Sequence, residues 1–145
     1  MFSLTAEYAL RAVAHLARET PGSCTTVQVS EATRVPKAYL SKVLQALNRA
    51  GIVRSQRGVG GGITLVKPVE DLTLLEVINA VEPINRIRAC PLGLETHGLR
   101  LCSLHHRLDA ALALVEQVLR QTTMADLLTE SGREDVLCAD PDQPT

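Results

Sequence analysis

The sequence predicts a mainly α-helical chain: a winged helix-turn-helix domain, then an irregular segment, then one long amphipathic helix. Three observations lead there. Apolar residues recur at helical spacing in several segments, and two short β-prone runs flank a Gly-rich turn after the second and third of them. The window from Ala32 to Val69 carries seven cations (Arg34, Lys37, Lys42, Arg49, Arg54, Arg57, Lys67) and no Asp or Glu, in a chain of formal net charge −1. Clustered Lys and Arg release counterions from a phosphate backbone, and nearby carboxylates would oppose them. The window is therefore expected to face double-stranded nucleic acid, and its helix, turn, helix and hairpin layout agrees.

Taken in order, Thr5 to Arg18 places Tyr8, Ala9, Ala12, Val13 and Leu16 on one face of a first helix, which Pro21, Gly22 and Ser23 end. A short second helix fits Val27 to Thr33, with Thr25 or Thr26 as its N-cap. The third begins with Pro36 in its first turn, buries Leu40, Val43, Leu44 and Leu47, and closes at Gly51. Ile52 to Gln56 and Ile63 to Val66 read as strands around Arg57-Gly-Val-Gly-Gly-Gly62. Thr73-Leu-Leu-Glu76 is a capping-box pattern opening a helix that Pro83 closes. An irregular stretch from Ile84 to Leu101 holds Cys90 and His97. The longest helical pattern, Ser103 to Arg120, then carries a stripe of Leu104, Leu108, Ala111, Leu112, Val115, Val118 and Leu119. So small a chain has little left to cover that stripe, so a second copy of the chain is expected against it, as a two-fold symmetric dimer.

Composition narrows the class. Of 145 residues 46% are apolar, enough for one domain with a core plus an appended helix and too many for a wholly disordered chain. With one Phe, two Tyr and no Trp, RNA modules that stack bases on aromatic rows are disfavoured. The N-terminal stretch is interrupted by Glu7, Arg11, His15 and Arg18, so neither a signal peptide nor a membrane span is expected, and the protein is expected to be cytoplasmic. In a reducing compartment four cysteines point to metal binding or redox sensing rather than to structural disulfides.

In a helix-turn-helix the second helix presents its N-terminal residues to base edges. Here those are Lys37, Ala38, Ser41, Lys42 and Gln45. Gln can pair with adenine, Ser with bases or phosphate, and Lys with guanine or phosphate. For any one Lys a solvated helix face is the simpler reading; for the whole acid-free window it is not. The glycine-rich tip lacks the Gly-Lys-Ser/Thr ending of a nucleotide-phosphate loop. It fits a wing better, with Gly58 and Gly60 letting the backbone turn close to DNA and Arg57 entering a minor groove.

Leu4-Thr-Ala-Glu-Tyr-Ala-Leu-Arg11, Val35-Pro-Lys-Ala-Tyr-Leu40, Leu44-Gln-Ala-Leu-Asn-Arg-Ala-Gly-Ile-Val53, Arg57-Gly-Val-Gly-Gly-Gly62 and Leu74-Leu-Glu-Val-Ile-Asn-Ala-Val-Glu82 together resemble the IscR/NsrR-type (Rrf-two) bacterial transcription regulators over residues 1 to about 128. The resemblance implies a homodimeric winged-helix regulator with a long dimerisation helix. In many members an iron–sulfur cluster sits in the loop before that helix and senses cluster status, nitric oxide or redox state. Cluster-bearing members carry three cysteines with five residues between successive ones. Cys90 and Cys102 match the outer two, while the middle position falls on Thr96, beside His97. His105 stands where some relatives place a histidine ligand, and Glu7 where others supply an acidic ligand from the partner subunit. The implied ligand set is Cys90, Cys102, His105 and the partner's Glu7, with His97 as a substitute. Two thiolates and mixed ligands favour [2Fe-2S] over [4Fe-4S]. The implied organisation is residues 1–82 as the DNA-binding domain, 83–102 as the sensor loop, 103–131 as the dimerisation and C-terminal helices, and 132–145 as a disordered tail.

Other readings of the cysteines stand beside this one. Cys90 and Cys102 can form a reversible disulfide without metal, bind zinc with His97 or His106, or be small buried side chains. A small thiol redox enzyme is the alternative of a different class. The cysteines lack CxxC spacing and no nucleophile, base and orienter triad is legible, so no enzyme is expected. Cys24 reads as structural, Cys138 lies in the tail, and His15 reads as a partly exposed helix residue.

Overall fold

The computed structural model describes residues 2–91, 93 and 100–130. His97, Cys138 and the expected tail lie outside the described residues. The elements run α1 (Leu4–Glu19), α2 (Thr26–Thr33), α3 (Lys37–Arg49), β1 (Val53–Gln56), β2 (Gly62–Leu65), α4 (Leu74–Val81), α5 (Ser103–Gln121) and α6 (Met124–Glu130).

The N-terminal helix α1 starts where the Ser3 side chain accepts the Ala6 N–H, and it turns Ala6, Ala9, Ala12, Val13, Ala14 and Leu16 inward. Helices α2, α3 and α4 and strand β2 all pack against it. Thr25, not Thr26, caps α2, in a reciprocal box with Gln28. A residue in the left-handed conformation, Arg34 (φ 56), ends that helix and turns the chain toward α3.

Proline 36 occupies the N-cap position of α3 rather than its first turn, because its ψ of 132 is extended and helical geometry begins at Lys37. Leu40, Val43, Leu44 and Leu47 are buried as the apolar spacing requires. The helix ends in a left-handed cap at Gly51 (φ 74), one residue beyond the C-cap Ala50. Gly51 N–H donates to Asn48 O (3.0 Å) and Ile52 N–H to Leu47 O (3.0 Å).

Strands β1 and β2 pair antiparallel, Val53 opposite Leu65 and Gln56 opposite Gly62. A third segment joins them: Cys24 exchanges both backbone hydrogen bonds with Ile63 (3.0 and 2.7 Å). Gly62 permits the approach, since a Cβ there would stand 2.8 Å from Cys24 O.

The box predicted for Thr73 and Glu76 opens α4, and Glu76 also pairs with Lys67. At the far end of the chain Thr123 and Asp126 cap α6 in the same way. This helix docks back beside the start of α4: Thr123 bridges Thr73, Met124 N–H reaches Leu72 O (2.8 Å), and the Met124 side chain is fully buried. Among the described residues no helix is long and apolar enough to cross a membrane.

The Lys67 ammonium and the Thr73 donors hold the Glu76 carboxyl below the usual carboxylate range. A carboxyl whose folded pKa is depressed contributes stability above its unfolded pKa and loses it as the pH falls through the folded one. Glu76→Gln keeps an N3 capping group but removes the charge. Its denaturation midpoint should lie below that of the wild type at pH 7, with the gap closing on acidification below the carboxylate range. A gap that is unchanged at low pH would assign the loss to packing instead.

Candidate nucleic-acid interface and sensor cysteines

The buried face of α3 fixes what its other side shows. With Leu40, Val43, Leu44 and Leu47 inward, Lys37, Ala38, Ser41, Lys42 and Gln45 are all exposed on one surface. The Ser41 hydroxyl donates to Lys37 O (3.0 Å), so it meets a ligand as an acceptor. Tyr39, also exposed, leans toward Tyr8 with ring centroids 6.2 Å apart. Its signal in the sequence was an aromatic residue out of phase with the apolar stripe.

The wing tip is a tight turn in which Gly61 N–H donates to Gly58 O (2.9 Å), with Gly58 and Gly60 at φ 102 and 74. A Cβ at Gly61 would stand 2.5 Å from Gln56 O, so that position too is restricted to glycine. Val59 at the apex is fully exposed, and Arg54 on the strand and Arg57 at the entrance to the turn are exposed too. The cations of the window then divide. Lys67 is held by Glu76, a residue outside the window, whereas Lys37, Lys42, Arg49, Arg54 and Arg57 carry no ion pair among the described residues.

On the sensor side, Cys102 is the N-cap residue of α5 and its Sγ lies 3.2 Å from Nδ1 of His105. The two are brought together by one helical turn. Cys90 is partly exposed in the preceding loop, in a turn closed by Gly93 N–H to Cys90 O (3.1 Å). Glu7 accepts from the Arg11 guanidinium (2.7 Å) one turn along α1. Among the described residues no three His, Cys, Asp or Glu side chains converge as a metal site, so Cys90 and Glu7 do not join the Cys102–His105 pair within one chain. Cys24 belongs to the core, 3.9 Å from His15 Nε2, and burial, then the Glu19 charge, push its thiol pKa up. His106 is exposed.

The helix-turn-helix and wing with an exposed basic face define a winged-helix DNA-binding protein. Residues 2–130 match the model of the Rrf2 family, described as an iron-dependent transcriptional regulator, and the chain belongs to that family. It is 33% identical to the HTH-type transcriptional regulator NsrR of Bacillus subtilis over 134 residues, covering 90% of each chain. Among solved structures it is similar to IscR of T. potens (TM-score 0.73, 22% identity, 90% of this chain and 87% of that one). It also resembles CymR, the global cysteine regulator of B. subtilis (TM-score 0.72, 22% identity, 90% and 98% covered). The protein is thus a DNA-binding transcription regulator and not an enzyme, as its sequence predicts.

The divided cations give an expectation for binding. Arg57→Ala should weaken retention of a target duplex roughly tenfold at fixed salt, while Lys67→Ala, whose partner is Glu76, should stay within about twofold of wild type. Equal losses in a gel-retention titration would remove the distinction between wing and structural cations.

Proposed function

We propose that this protein is a cytoplasmic, homodimeric repressor whose affinity for a DNA operator is set by a redox- or nitric-oxide-sensitive [2Fe-2S] cluster. Lys37, Ala38, Ser41, Lys42 and Gln45 would enter the major groove, and Arg57, Gly58 and Gly60 would follow the backbone into the minor groove. The observation that carries the sensor is the 3.2 Å contact between Cys102 and His105 at the foot of α5. A thiol and an imidazole side by side, with a second thiol at Cys90 in the loop that leads there, suit iron with mixed ligands. The set needs a fourth donor from elsewhere, and the partner's Glu7 is the proposed one, with His97 as its alternative. Two thiols in the constellation are too few to favour [4Fe-4S]. The cluster, when bound, supplies a redox-active centre; the chain supplies its ligands and their attachment to α5.

Support for the dimer comes from α5 itself. Not one of its 19 residues is buried, and Leu104, Leu108, Leu114 and Val118 are 63, 47, 65 and 62% exposed. Leu104, Leu108, Ala111, Val115 and Val118 alternate spacings of four and three, the spacing of a helix-pairing seam. A second sensor reading uses the same residues: oxidation of Cys90 and Cys102, both free and partly exposed, to a disulfide.

Anaerobic purification with iron, sulfide and visible-spectrum analysis tests the cluster. Stoichiometric iron and sulfide are expected, and Cys102→Ala should lose both the charge-transfer bands and the iron. Wild-type protein that stays iron-free after reconstitution would shift the sensor to thiol chemistry. For the dimer, Leu108→Glu with Val118→Glu should sediment as a monomer and bind operator at least about tenfold more weakly. A wild-type monomer in the same run would refute the pairing.

A further inference from the structure

One charged cluster lies outside both proposed sites. Arg86, four residues before Cys90, donates from Nε to Asp109 Oδ1 (2.7 Å) and from Nη2 to Asp109 Oδ2 (2.6 Å). Its Nη1 reaches Glu116 Oε2 (3.2 Å), and the backbone N–H of Ile87 also donates to Asp109 Oδ1 (2.9 Å). Asp109 and Glu116 sit two turns apart on one face of α5 and are both mostly covered. A bidentate guanidinium–carboxylate pair with a backbone donor on the same carboxylate fixes orientation as well as distance. Nothing in the DNA-reading surface or the Cys102–His105 pair uses it.

We infer that Arg86 is a positioning residue: by clamping the loop to the middle of α5 it sets the reach of Cys90 toward Cys102 and ties the loop to the helix that carries the exposed apolar seam. The lengths agree. From Asp109 back to Cys102 is seven residues, roughly 10 Å of helix rise. From Ile87 to Cys90 is three residues, an extended reach of about 10 Å. The clamp therefore leaves Cys90 just enough chain to come alongside the foot of α5. A register shift of one helical turn would put it out of range. The same bonds make α5 feel any displacement of Cys90 directly, through Asp109. The geometry of the clamp stands by itself; its consequence for sensing rests on the sensor reading proposed above.

The cysteines report on this separately. In reduced, chelator-treated full-length protein, peptide-resolved alkylation by iodoacetamide should be about tenfold faster at Cys90 in Arg86→Gln and Asp109→Asn than in wild type. Cys102, held at the start of α5, and Cys24, in the core, should keep their wild-type rates. Glu116→Gln, which leaves the bidentate Arg86–Asp109 pair and the Ile87 bond in place, should label Cys90 at close to the wild-type rate. An unchanged Cys90 rate in both Arg86→Gln and Asp109→Asn would overturn the inference. So would a parallel rise at Cys24, which would make the clamp a general contributor to stability. For the consequence, wild-type affinity for a duplex selected from a randomised pool should differ between diamide-oxidised and reduced protein, or between cluster-loaded and stripped protein. That difference should fall to within about twofold in Asp109→Asn. A wild-type protein with no such difference would refute the sensor reading while the labelling result still decides the clamp.

Discussion

The architecture depends on how closely other elements can approach α1. Its inward face is made of Ala6, Ala9, Ala12 and Ala14, with Val13 and Leu16 filling the gaps between neighbours. Small side chains on successive turns let α2, α3, α4 and β2 all pack on one helix, a density that a Leu-rich face would prevent. The partners answer with larger residues: Leu40 and Leu47 from α3, Val29 from α2 and Val77 from α4, all fully buried. Adding even two methyl groups at Ala9 or Ala12 would cost about 1–3 kcal/mol of overpacking. It would also tilt α3, and with it the row Lys37, Ser41, Lys42 and Gln45. The geometry of the exposed face of α3 is thus set by its packing on α1.

Charge is sorted by the same fold. Arg11, Lys67 and Arg86 each meet a carboxylate, Glu7, Glu76 and Asp109 respectively, and serve as internal ties. The exposed cations of α3 and the wing have no such partner among the described residues, so their field is directed at solvent and is open to a polyanion. An isolated surface ion pair adds little stability. Lys67–Glu76 is better understood as part of the cap of α4, where Glu76 already accepts the Thr73 N–H. The Arg86 set differs because four donors converge on two carboxylates from distant parts of the chain.

Whatever depends on local chemistry was legible in the sequence. The Thr73–Glu76 box, the stop at Gly51, the buried stripe of α3 and the Cys102–His105 pair all follow from spacings within one helical turn. Element ends moved by a residue or two, and Pro36 proved to sit outside its helix because its ψ is extended. What was not legible lies far apart in the chain. Nothing near Arg86 announces Asp109, 23 residues on. Nothing near Met124 says that it returns to Leu72 and enters the core. Lys67 looked equal to its fellow cations because its partner Glu76 falls just outside the acid-free window. Cys24 read correctly as structural, but its bridge to Ile63, which makes it part of the wing's foundation, needed the sheet to be seen.

The long helix is held unevenly, and that bears on how a signal at its start would travel. Its last turn runs into Thr122 and α6, where Thr73 pairs with Thr123 and Met124 is immobilised in the core of the DNA-binding domain. Its middle is tied by Arg86, and Leu112 and Val115 line a cleft of about 200 Å³ with Phe2, Ala6 and Ile78. Its first turn rests on Cys102 and His105, with Leu104 and Leu108 open on the other side. A change in the bonding of Cys102 would therefore act on the end of the helix where Leu104 and Leu108 are exposed. With the far end fixed in the winged-helix core and the middle tied to Arg86, a displacement of the first turn would be resisted by the Asp109 and Glu116 bonds before it reached Met124. Such a displacement would move Leu104 and Leu108 more than Val118, and so would act first on the front of the seam proposed for pairing. In the dimer proposed above, that movement would bear on the separation of the two α3 helices.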